Sequence, residues 1–420
     1  MRVLLIHQAF ASPREAGGTR HHELARHLVR QGHQVAVVTG TVSYLTGQTL
    51  PSAQRRWLTC EREDGMEIVR IRTYAAHHRS FFTRTLSFLG FMVSSFVGAA
   101  RVGKVDVVWG TSPPLFQALP AFVLARLRRV PFVFEVRDLW PDFAVQVGVL
   151  RNPLLIWGAR WIERFLYRHA DRLMVNSPGF IPHLRRCGVP EDKIDLVTNG
   201  VDVGAFDPQG RGEAVRQELG LDDQFVAVYA GAHGLAHDLG TALRAALRLQ
   251  GYREIVFLLV GDGKEKVQLV QHARDLGLDN VRFIPAQSKA RMPEVLAAAD
   301  IGIAILQDMP MFGTTYPNKV FDYMAAGRPT VLAIDGVIRT VIEAAGGGLF
   351  VPPGDEQALA DAVLSLYRDP ALRQRQGAAA RAYVLAHFDR GRQARKLEAL
   401  LLRLTGAGRP GAIAPPIPAA

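Results

Sequence analysis

Residues 255–263, IVFLLVGDG, form a six-residue apolar run that ends in a Gly-Asp-Gly turn. An uncharged run of this length is typical of a strand buried on both faces in a parallel sheet. Similar runs recur along the chain with stretches of helical spacing between them, which predicts doubly wound α/β sheets. The predicted strands are residues 3–6, 35–38, 68–71, 105–109, 132–135, 173–175, 194–197, 225–229, 255–260, 281–284, 301–305 and 330–333.

Length and pattern divide the chain into two domains. A chain of 420 residues exceeds one ordinary hydrophobic core, and the strand–helix alternation restarts after the NGVD motif at 199–202. We predict Rossmann-like domains at 1–199 and 200–388, with a ligand cleft at the carboxyl ends of their strands. A helix at 389–405 is expected to cross back to the first domain. Residues 406–420, rich in Gly, Pro and Ala, are expected to be disordered.

The formal net charge of +11 is concentrated in the first half of the chain. Residues 1–190 hold 25 Lys and Arg against 12 Asp and Glu, a net charge of 25 − 12 = +13, and the rest holds 25 against 27. This favours an anionic partner, either nucleic acid, a membrane surface or a phosphorylated lipid, unless it only reflects an Arg-rich composition. The two cysteines exclude a disulfide framework and a thiolate metal site, which favours a reducing, cytosolic compartment.

Residues 86–100, LSFLGFMVSSFVGAA, are largely apolar, with basic residues on both sides. Spanning a bilayer takes about 20 apolar residues, so this segment is too short for a transmembrane helix. It is either a helix in a membrane interface or a mostly buried helix of the first domain. The chain starts directly as a strand, so we expect no signal peptide.

Two clusters at strand ends of the first domain are candidates for chemistry. Gly17-Gly18 links the first strand to a helix, and glycines there allow an anion to approach the helix N-terminus, although a plain turn has the same sequence. Glu135, Arg137 and Asp138 bunch at the end of another strand. Such charges bind hydroxyls and a phosphate, transfer a proton, or form an ion-paired cap of the next helix.

Two further clusters lie in the second domain. Small residues at 230–234 follow its first strand and suit a diphosphate, with Gly261-Asp262-Gly263 on the same rim. Asn318 begins a helix, and Lys319 in its first turn opposes the helix dipole, so an anion is expected to compensate it. Lys319 and Asp322 on one helix face form either a clamp for a diphosphate and a ribose or an exposed ion pair.

Taken together, these motifs resemble glycosyltransferase family 4, of the GT-B fold. The resemblance covers residues 1–400 and is carried by Gly17-Gly18, EVRDLWP at 135–141, NGVD at 199–202, GDG at 261–263 and PNKVFDYMAAGRP at 317–329. It is greatest with the branch of L-fucosamine transferases of O-antigen assembly. It implies an acceptor-side first domain and a donor-binding second domain.

The resemblance also implies the roles of individual residues. Lys319 and the backbone amides of 231–234 would stabilise the leaving diphosphate, Asp322 would bind ribose, and Asp138 would lie near the donor sugar. Thr314 stands where relatives carry the first acid of an E-x7-E motif, and the loop after Gly231 lacks their basic residue unless His233 is protonated. The candidate catalytic residues are Asp138, Lys319, Glu135 and Arg137, and the candidate donor-binding residues are Gly17, Gly18, Gly231, His233, Gly234, Gly261, Asp262, Gly263, Pro285, Asn318, Lys319 and Asp322.

The predicted function is retaining transfer of a sugar from a nucleotide-sugar donor. The resemblance implies a UDP-linked N-acetylated amino sugar, a lipid-linked or polysaccharide acceptor at the cytoplasmic membrane face, and no cofactor or essential metal. The alternatives are a GT-B-fold UDP-sugar epimerase and a noncatalytic protein that binds membrane or nucleic acid. Nucleic acid as a partner leaves the clamp in the second domain unexplained.

Overall fold

The computed structural model describes residues 1–42, 57–73 and 81–406, with side chains omitted for 81–88. The predicted disordered tail therefore lies outside the described residues, apart from Gly406. Over the described residues, the chain forms two α/β domains with parallel sheets, as the alternation of strands and helices predicts.

The first domain is built on an eight-stranded sheet with the order β3-β4-β2-β1-β5-β6-β7-β8. Leu4 in the middle of the sheet lies opposite Ala36 on one side and Val108 on the other, both in parallel register. The strands are β1 (Arg2–Ile6), β2 (Gln34–Gly40), β3 (Leu58–Glu63), β4 (Met66–Ile71), β5 (Val107–Ser112), β6 (Phe132–Val136), β7 (Arg172–Val175) and β8 (Ile194–Leu196). The helices are α1 (Arg20–Arg30), α2 (Phe81–Arg101), α3 (Ala118–Arg128), α4 (Asp142–Gln146), α5 (Pro153–His169) and α6 (Ile181–Arg186).

One strand of this sheet was absent from the prediction. β3 pairs antiparallel with β4 at the sheet edge, and only Asp64 and Gly65 connect them. Both residues have positive φ, 48° and 78°, as a type I′ hairpin turn requires. The Asp-Gly pair is therefore the sequence signal for this hairpin. β3 ends in three consecutive charged residues, Glu61, Arg62 and Glu63, which hides the strand from a search for apolar runs.

The second domain has a six-stranded sheet, all parallel, with the order β11-β10-β9-β12-β13-β14. Its first five strands confirm the predicted positions, and the short β14 was missed. The strands are β9 (Phe225–Ala230), β10 (Ile255–Val260), β11 (Val281–Ile284), β12 (Ile301–Ile305), β13 (Thr330–Ala333) and β14 (Gly348–Phe350). The helices are α7 (Glu213–Leu219), α8 (Leu239–Arg248), α9 (Lys266–Asp275), α10 (Met292–Ala297), α11 (Asn318–Ala325), α12 (Val337–Ala345), α13 (Glu356–Arg368) and α14 (Pro370–His387).

The last helix, α15 (Arg390–Thr405), packs on the first domain. Leu397 and Leu401 join a core with Val3 and Leu5 of β1. At the start of the helix, Arg390 donates to the carboxylate of Glu23 in α1 at 2.6 Å. Chain entry and exit therefore both tie the second domain to the first, which fixes the walls of the cleft.

The apolar segment 86–100 lies within α2, and its described side chains, from residue 89 onward, are neither all buried nor all exposed. Phe91 and Ala99 are buried in the core, whereas Val93 and Val97 are exposed on the opposite side of the helix. Across the described parts of the chain, no helix is both long enough and apolar enough to cross a bilayer.

Candidate active site

Lys319 brings a buried amino group to the carboxyl edge of the second sheet. It is the second residue of α11, and its ammonium nitrogen lies 3.7 Å from the centroid of the Tyr229 ring. That nitrogen is buried and has no hydrogen-bond partner among the described residues. Burial lowers the pKa of Lys319 well below its ordinary value. A phosphate bound at this place would accept from the amino group and favour its charged form.

Glycines allow two loops of the second domain, 231–234 and 261–263, to pack against each other, and the first of them to pack against Lys319. A Cβ on Gly231 would lie 2.9 Å from the Lys319 nitrogen, on a backbone with φ of +155°. A Cβ on Gly261 would lie 1.8 Å from the carbonyl oxygen of Gly231. A Cβ on Gly263 would lie 2.3 Å from the carbonyl oxygen of His233. Residues 261 and 263 must therefore be glycine, because their backbone lies in close contact with the 231–234 loop.

Only some of the backbone amides of residues 231–234 are available to bind a phosphate. The amide of Gly231 donates to Val260 at 2.9 Å, and that of His233 donates to Asp262 at 2.8 Å. Both are therefore committed to the contact between the loops. The amides of Ala232 and Gly234 make no backbone hydrogen bond within the described chain, so these two are the candidates for a phosphate.

His233 does not supply the second cation that the sequence left open. Its ring is fully buried, and neither ring nitrogen has a partner among the described residues. Burial, with smaller contributions from Lys266 and Lys319, lowers the pKa of His233 to about 4. The imidazole is therefore neutral near pH 7, because a second positive charge beside the lysines is unfavourable.

Two further lysines, missed in the sequence, lie around the same edge. Lys266 donates to the carbonyl oxygens of Gly261 at 2.7 Å and Ile284 at 3.2 Å, which fixes the GDG turn. Lys289 donates to one carboxylate oxygen of Asp322 at 2.5 Å. The chain has only seven lysines, and this scarcity could have drawn attention to both.

Asp322 and Lys319 do not form the exposed ion pair that was the alternative to a clamp. Asp322 points to Lys289, and its carboxylate is mostly buried, at 15% exposure. Burial raises the pKa of Asp322, and Lys289 opposes the rise. No described residue bonds the second carboxylate oxygen, so Asp322 retains an acceptor for a ligand hydroxyl.

The Gly17-Gly18 loop contacts the second domain at this point. The amide of Ala290 donates to Pro13 at 3.0 Å, and that of Lys289 donates to Glu15 at 3.3 Å. Gly18 is exposed, and a Cβ there would meet no atom within 4 Å. The loop therefore closes one side of the cleft, with open space above its second glycine.

Glu135, at the end of β6, is a buried anchor and does not face the cleft. It is 0% exposed and accepts from Arg20 at 2.9 Å, from Trp109 at 3.2 Å and from His21 at 2.6 Å. Burial alone would raise the pKa of Glu135, but His21 and Arg20 outweigh it and lower the pKa. Glu135 therefore fits the ion-paired interpretation, and it acts on a ligand only through its partners.

Arg137 is likewise engaged with other protein groups, whereas Asp138 remains a candidate for chemistry. Arg137 donates to the Thr111 hydroxyl at 2.8 Å and to the Ser112 carbonyl at 3.0 Å, which joins the ends of β5 and β6. Asp138 is half-buried at the carboxyl edge, and burial raises its pKa to about 6. Of the three clustered charges, Asp138 is the one suited to hold or release a proton near neutral pH.

Thr314, which stands where relatives carry the first acid of the E-x7-E motif, lies at the junction of the domains. Its hydroxyl donates to Met311 at 2.6 Å, and its carbonyl accepts from Ser177 of the first domain at 2.6 Å. Thr314 also lines a cavity of about 480 Å³ formed by the loops after β12 and β13. Asp308 and Asp335 line the same cavity, so two carboxylates lie near the place where the sequence lacks one.

The remaining predicted residues lie on the rim. Asn318 is exposed at the start of α11, and Pro285 is exposed directly after β11. Both follow strands of the second sheet at its carboxyl edge, as do the glycine loops. The structure thus brings Gly231, Gly261, Lys319 and Asp322 to one edge, with Asp138 at the carboxyl edge of the other sheet. No described contact tests the role of any of them, so the roles stay predictions.

Two facing Rossmann-like domains with these loops at their strand ends define the GT-B class. Residues 16–200 match the glycosyl transferase 4-like domain model, and residues 212–383 match the model of glycosyl transferases group 1. The chain is therefore a glycosyltransferase that combines a 4-like domain with a group 1 domain. The L-fucosamine branch stays a prediction.

Known proteins resemble this chain over most of its length. It is 26% identical to the putative colanic acid biosynthesis glycosyl transferase WcaI of Escherichia coli K12 over 341 residues, 79% of this chain and 83% of WcaI. It is 27% identical to the GDP-mannose-dependent alpha-mannosyltransferase of Mycobacterium tuberculosis, with 92% of each chain covered. The fold matches Anabaena HepE in complex with UDP-glucose, with a TM-score of 0.73, 17% identity and coverage of 96% and 100%.

Proposed function

We propose that this glycosyltransferase moves an N-acetylated amino sugar from a UDP-sugar to a lipid-linked or polysaccharide acceptor, with retention of the anomeric configuration. The observation that carries the donor part is Lys319, a buried ammonium without a hydrogen-bond partner among the described residues. Placing a cation there costs stability unless a ligand compensates it. A nucleoside diphosphate is the anion that such a cleft accommodates.

The same group serves the chemistry of transfer. Negative charge develops on the diphosphate as its bond to the sugar breaks, and a fixed cation stabilises that charge more than it stabilises the intact donor. Lys319 lies on a rigid helix and against the Tyr229 ring. It is therefore prepositioned, and little reorganisation is needed during the reaction. Because it supplies positive charge, we propose that no metal is essential.

The other parts of the donor have candidate partners close by. The free carboxylate oxygen of Asp322 would accept from a ribose hydroxyl. The cavity beside Thr314, with Asp308 and Asp335 in its lining, would hold the sugar ring. Asp138, with its raised pKa, would contact the sugar from the first domain, either as a carboxylate or as a hydrogen-bond donor.

The base and the sugar rest on different grounds. UDP is supported by the shared motifs and by the fold match to HepE, which was solved with UDP-glucose. One relative is named for GDP-mannose, so guanine has to be tested beside uracil. The amino sugar and the lipid-linked or polysaccharide acceptor come from the resemblance to transferases of O-antigen assembly, and WcaI is also named for polysaccharide biosynthesis.

Thermal unfolding with a panel of UDP, GDP, ADP, dTDP and their sugars tests the donor site. A ligand at 100 times its dissociation constant adds about 2.7 kcal/mol of stability. We expect UDP to raise the melting temperature of the wild type and to have no effect on Lys319→Ala. Lys264→Ala is the matched control, because Lys264 is exposed on the neighbouring loop. The absence of a shift with every nucleotide would refute the proposed donor site.

Product analysis tests the reaction itself. Incubation with the UDP-sugar that stabilises best should release UDP, and the rate should be unchanged by EDTA. The anomeric configuration of the transferred sugar, read by NMR, should match that of the donor. Inversion, or loss of activity with EDTA, would contradict the corresponding part of the proposal.

A further inference from the structure

Three neighbouring helices of the first domain expose large apolar side chains. α2, α3 and α5 pack over one face of the sheet, on the side away from α1 and α15. Val93 of α2 is 64% exposed and Leu127 of α3 is 73% exposed. Leu154, Trp157 and Trp161 of α5 are 77%, 70% and 57% exposed. Isolated apolar residues are normal on a surface, but two tryptophans on one helix face are not.

The exposed residues of α5 form a single stripe. Leu154, Trp157, Trp161, Arg164 and Arg168 follow each other at intervals of three or four residues, so they lie on one side of the helix. All five are exposed. The stripe is apolar and aromatic in its first half and basic in its second. We call these five residues the α5 stripe.

Trp161, in the aromatic half of the stripe, is held in place by packing against the domain. Trp161 stacks on Phe165 at 5.5 Å between ring centroids, and Phe165 meets Phe122 of α3 edge-on at 5.1 Å. This row of rings connects the exposed indole to the core of the domain. The exposed position of Trp161 is therefore fixed by packing and is not the result of a freely rotating side chain.

The charged side chains of α2, α3 and α5 are basic with one exception, and Asp142 of the neighbouring α4 pairs with Arg160 of α5 at 3.0 Å. Among the residues of α2, α3 and α5, the only acidic one is Glu163. Its carboxylate is buried and accepts hydrogen bonds from Tyr167 at 2.9 Å and from His183 at 3.0 Å. Its charge is thus neutralised inside the protein, and the exposed face of the three helices combines apolar and basic groups.

We infer that the α5 stripe docks this protein on an anionic lipid bilayer. Tryptophan prefers the headgroup region, leucine the acyl boundary, and arginine the anionic phosphates, so the stripe carries a group for each layer. A protein partner of matching apolar shape would not require the two arginines in the second half of the stripe. The stripe is distinct from segment 86–100. That segment belongs to α2 and adds only exposed apolar residues beside the stripe.

The direction of α5 gives this docking a consequence for catalysis. α5 returns the chain from the carboxyl edge of β6 to the start of the parallel strand β7, so its first residues lie at the cleft edge of the sheet. The apolar end of the stripe is therefore the end near the cleft. If the proposed function holds, docking brings the acceptor side of the cleft to the membrane, where a lipid-linked acceptor resides.

Liposome sedimentation with the full chain tests the inference. The wild type should bind vesicles of phosphatidylcholine and phosphatidylglycerol, bind pure phosphatidylcholine far less, and dissociate at high salt. Replacing both arginines, Arg164→Gln with Arg168→Gln, should lower binding about 30-fold, from about 1 kcal/mol per basic residue. In the wild type, vesicle binding should shift the tryptophan fluorescence to the blue. Trp157→Ala with Trp161→Ala should lower binding and abolish this shift.

The controls match the variants in chemistry but lie elsewhere. Trp57, 51% exposed, precedes the edge strand β3, and Arg274 and Arg375 are exposed in the second domain. Trp57→Ala and the pair Arg274→Gln with Arg375→Gln should bind vesicles like the wild type. Equal losses in the controls and the stripe variants, or unchanged binding in the stripe variants, would overturn the inference. A wild-type dimer that Trp157→Ala with Trp161→Ala converts to monomer without lipid would also overturn it, in favour of a second copy.

Nucleotide binding separates this inference from the proposed function. The stripe variants should keep the thermal shift with UDP, because the stripe is remote from Lys319 and Gly231. Vesicle binding through the stripe without any nucleotide shift would refute the donor site alone. A nucleotide shift without vesicle binding would refute the docking surface alone.

Discussion

Asp138→Asn is predicted to make the protein more stable and less active near neutral pH. Burial raises the pKa of the Asp138 carboxyl from 3.8 to about 6, although the Leu139 amide and the charge of Arg137 oppose the rise. An ionised Asp138 is therefore destabilising in the folded protein. An uncharged amide of the same shape removes that penalty.

The size and sign of this change in stability follow from the pKa of Asp138 in the unfolded chain and in the folded protein. Their difference is about 2 units, and each unit is worth about 1.4 kcal/mol, so the full effect is about 3 kcal/mol. The unfolded chain loses this proton near pH 3.8 and the folded protein near pH 6. Stability conferred by this group is therefore lost as pH rises through that window. The gain from Asp138→Asn should be about 3 kcal/mol near pH 8 and about 1 kcal/mol near pH 4.5.

Urea unfolding at these two pH values measures the gain, and UDP release from the donor measures activity. We expect a loss of activity of about 100-fold if Asp138 exchanges a proton with substrate. Asp142→Asn is the control, since Asp142 accepts from Arg160 at 3.0 Å on the surface and its replacement should not stabilise the protein. A variant at Asp138 that is no more stable than the wild type near pH 8 would refute the reasoning.

Three further predictions concern the cleft. Gly231→Ala should weaken UDP binding at least about 10-fold in calorimetry, because its methyl group would crowd Lys319 on a strained backbone; Gly251→Ala, where a Cβ meets no atom within 4 Å, should not. Arg390→Ala should cost about 3–5 kcal/mol in urea unfolding, since it leaves the buried carboxylate of Glu23 unpaired. UDP binding should take up protons in calorimetry across buffers of different ionisation enthalpy, because a bound diphosphate raises the lowered pKa of Lys319; its affinity should fall as pH rises through that pKa, and Lys319→Met should abolish the uptake.

Each of these has an opposing result. Equal UDP affinity in both glycine variants would show that the close contact with Lys319 is not needed. A stable Arg390→Ala protein would show that Glu23 finds water or another cation. Proton uptake that persists in Lys319→Met would assign the titration to a different group.

The predicted fold was largely correct because buried parallel strands are uncharged runs that stand out in the sequence. The strands that were missed have other features. β3 lies at an edge and has charged residues over its second half, and β14 has only three residues. Neither gives a continuous apolar run, and only the Asp64-Gly65 turn marked the first of them.

The candidate site was predicted less completely. The sequence pointed to Lys319 and to the glycines, since a lysine at a helix start and Gly-rich strand ends are local patterns. Lys266 and Lys289 were missed because their importance lies in what they contact across the chain, namely the GDG turn and Asp322. Likewise, the amides that stay available in the 231–234 loop depend on hydrogen bonds to a different strand end.

The sequence by itself determined the class of this protein: two α/β domains with glycine-rich loops at their strand ends, since these depend on residue types at fixed spacing. Only the tertiary structure decided which charges are exposed. It buried Glu135 among Arg20, His21 and Trp109, paired Asp322 with Lys289, and left the Lys319 nitrogen over the Tyr229 ring without a hydrogen-bond partner in the described chain. The physical reason is that burial and pairing of a charge depend on residues distant in sequence, and these two quantities set its protonation and its availability to a ligand.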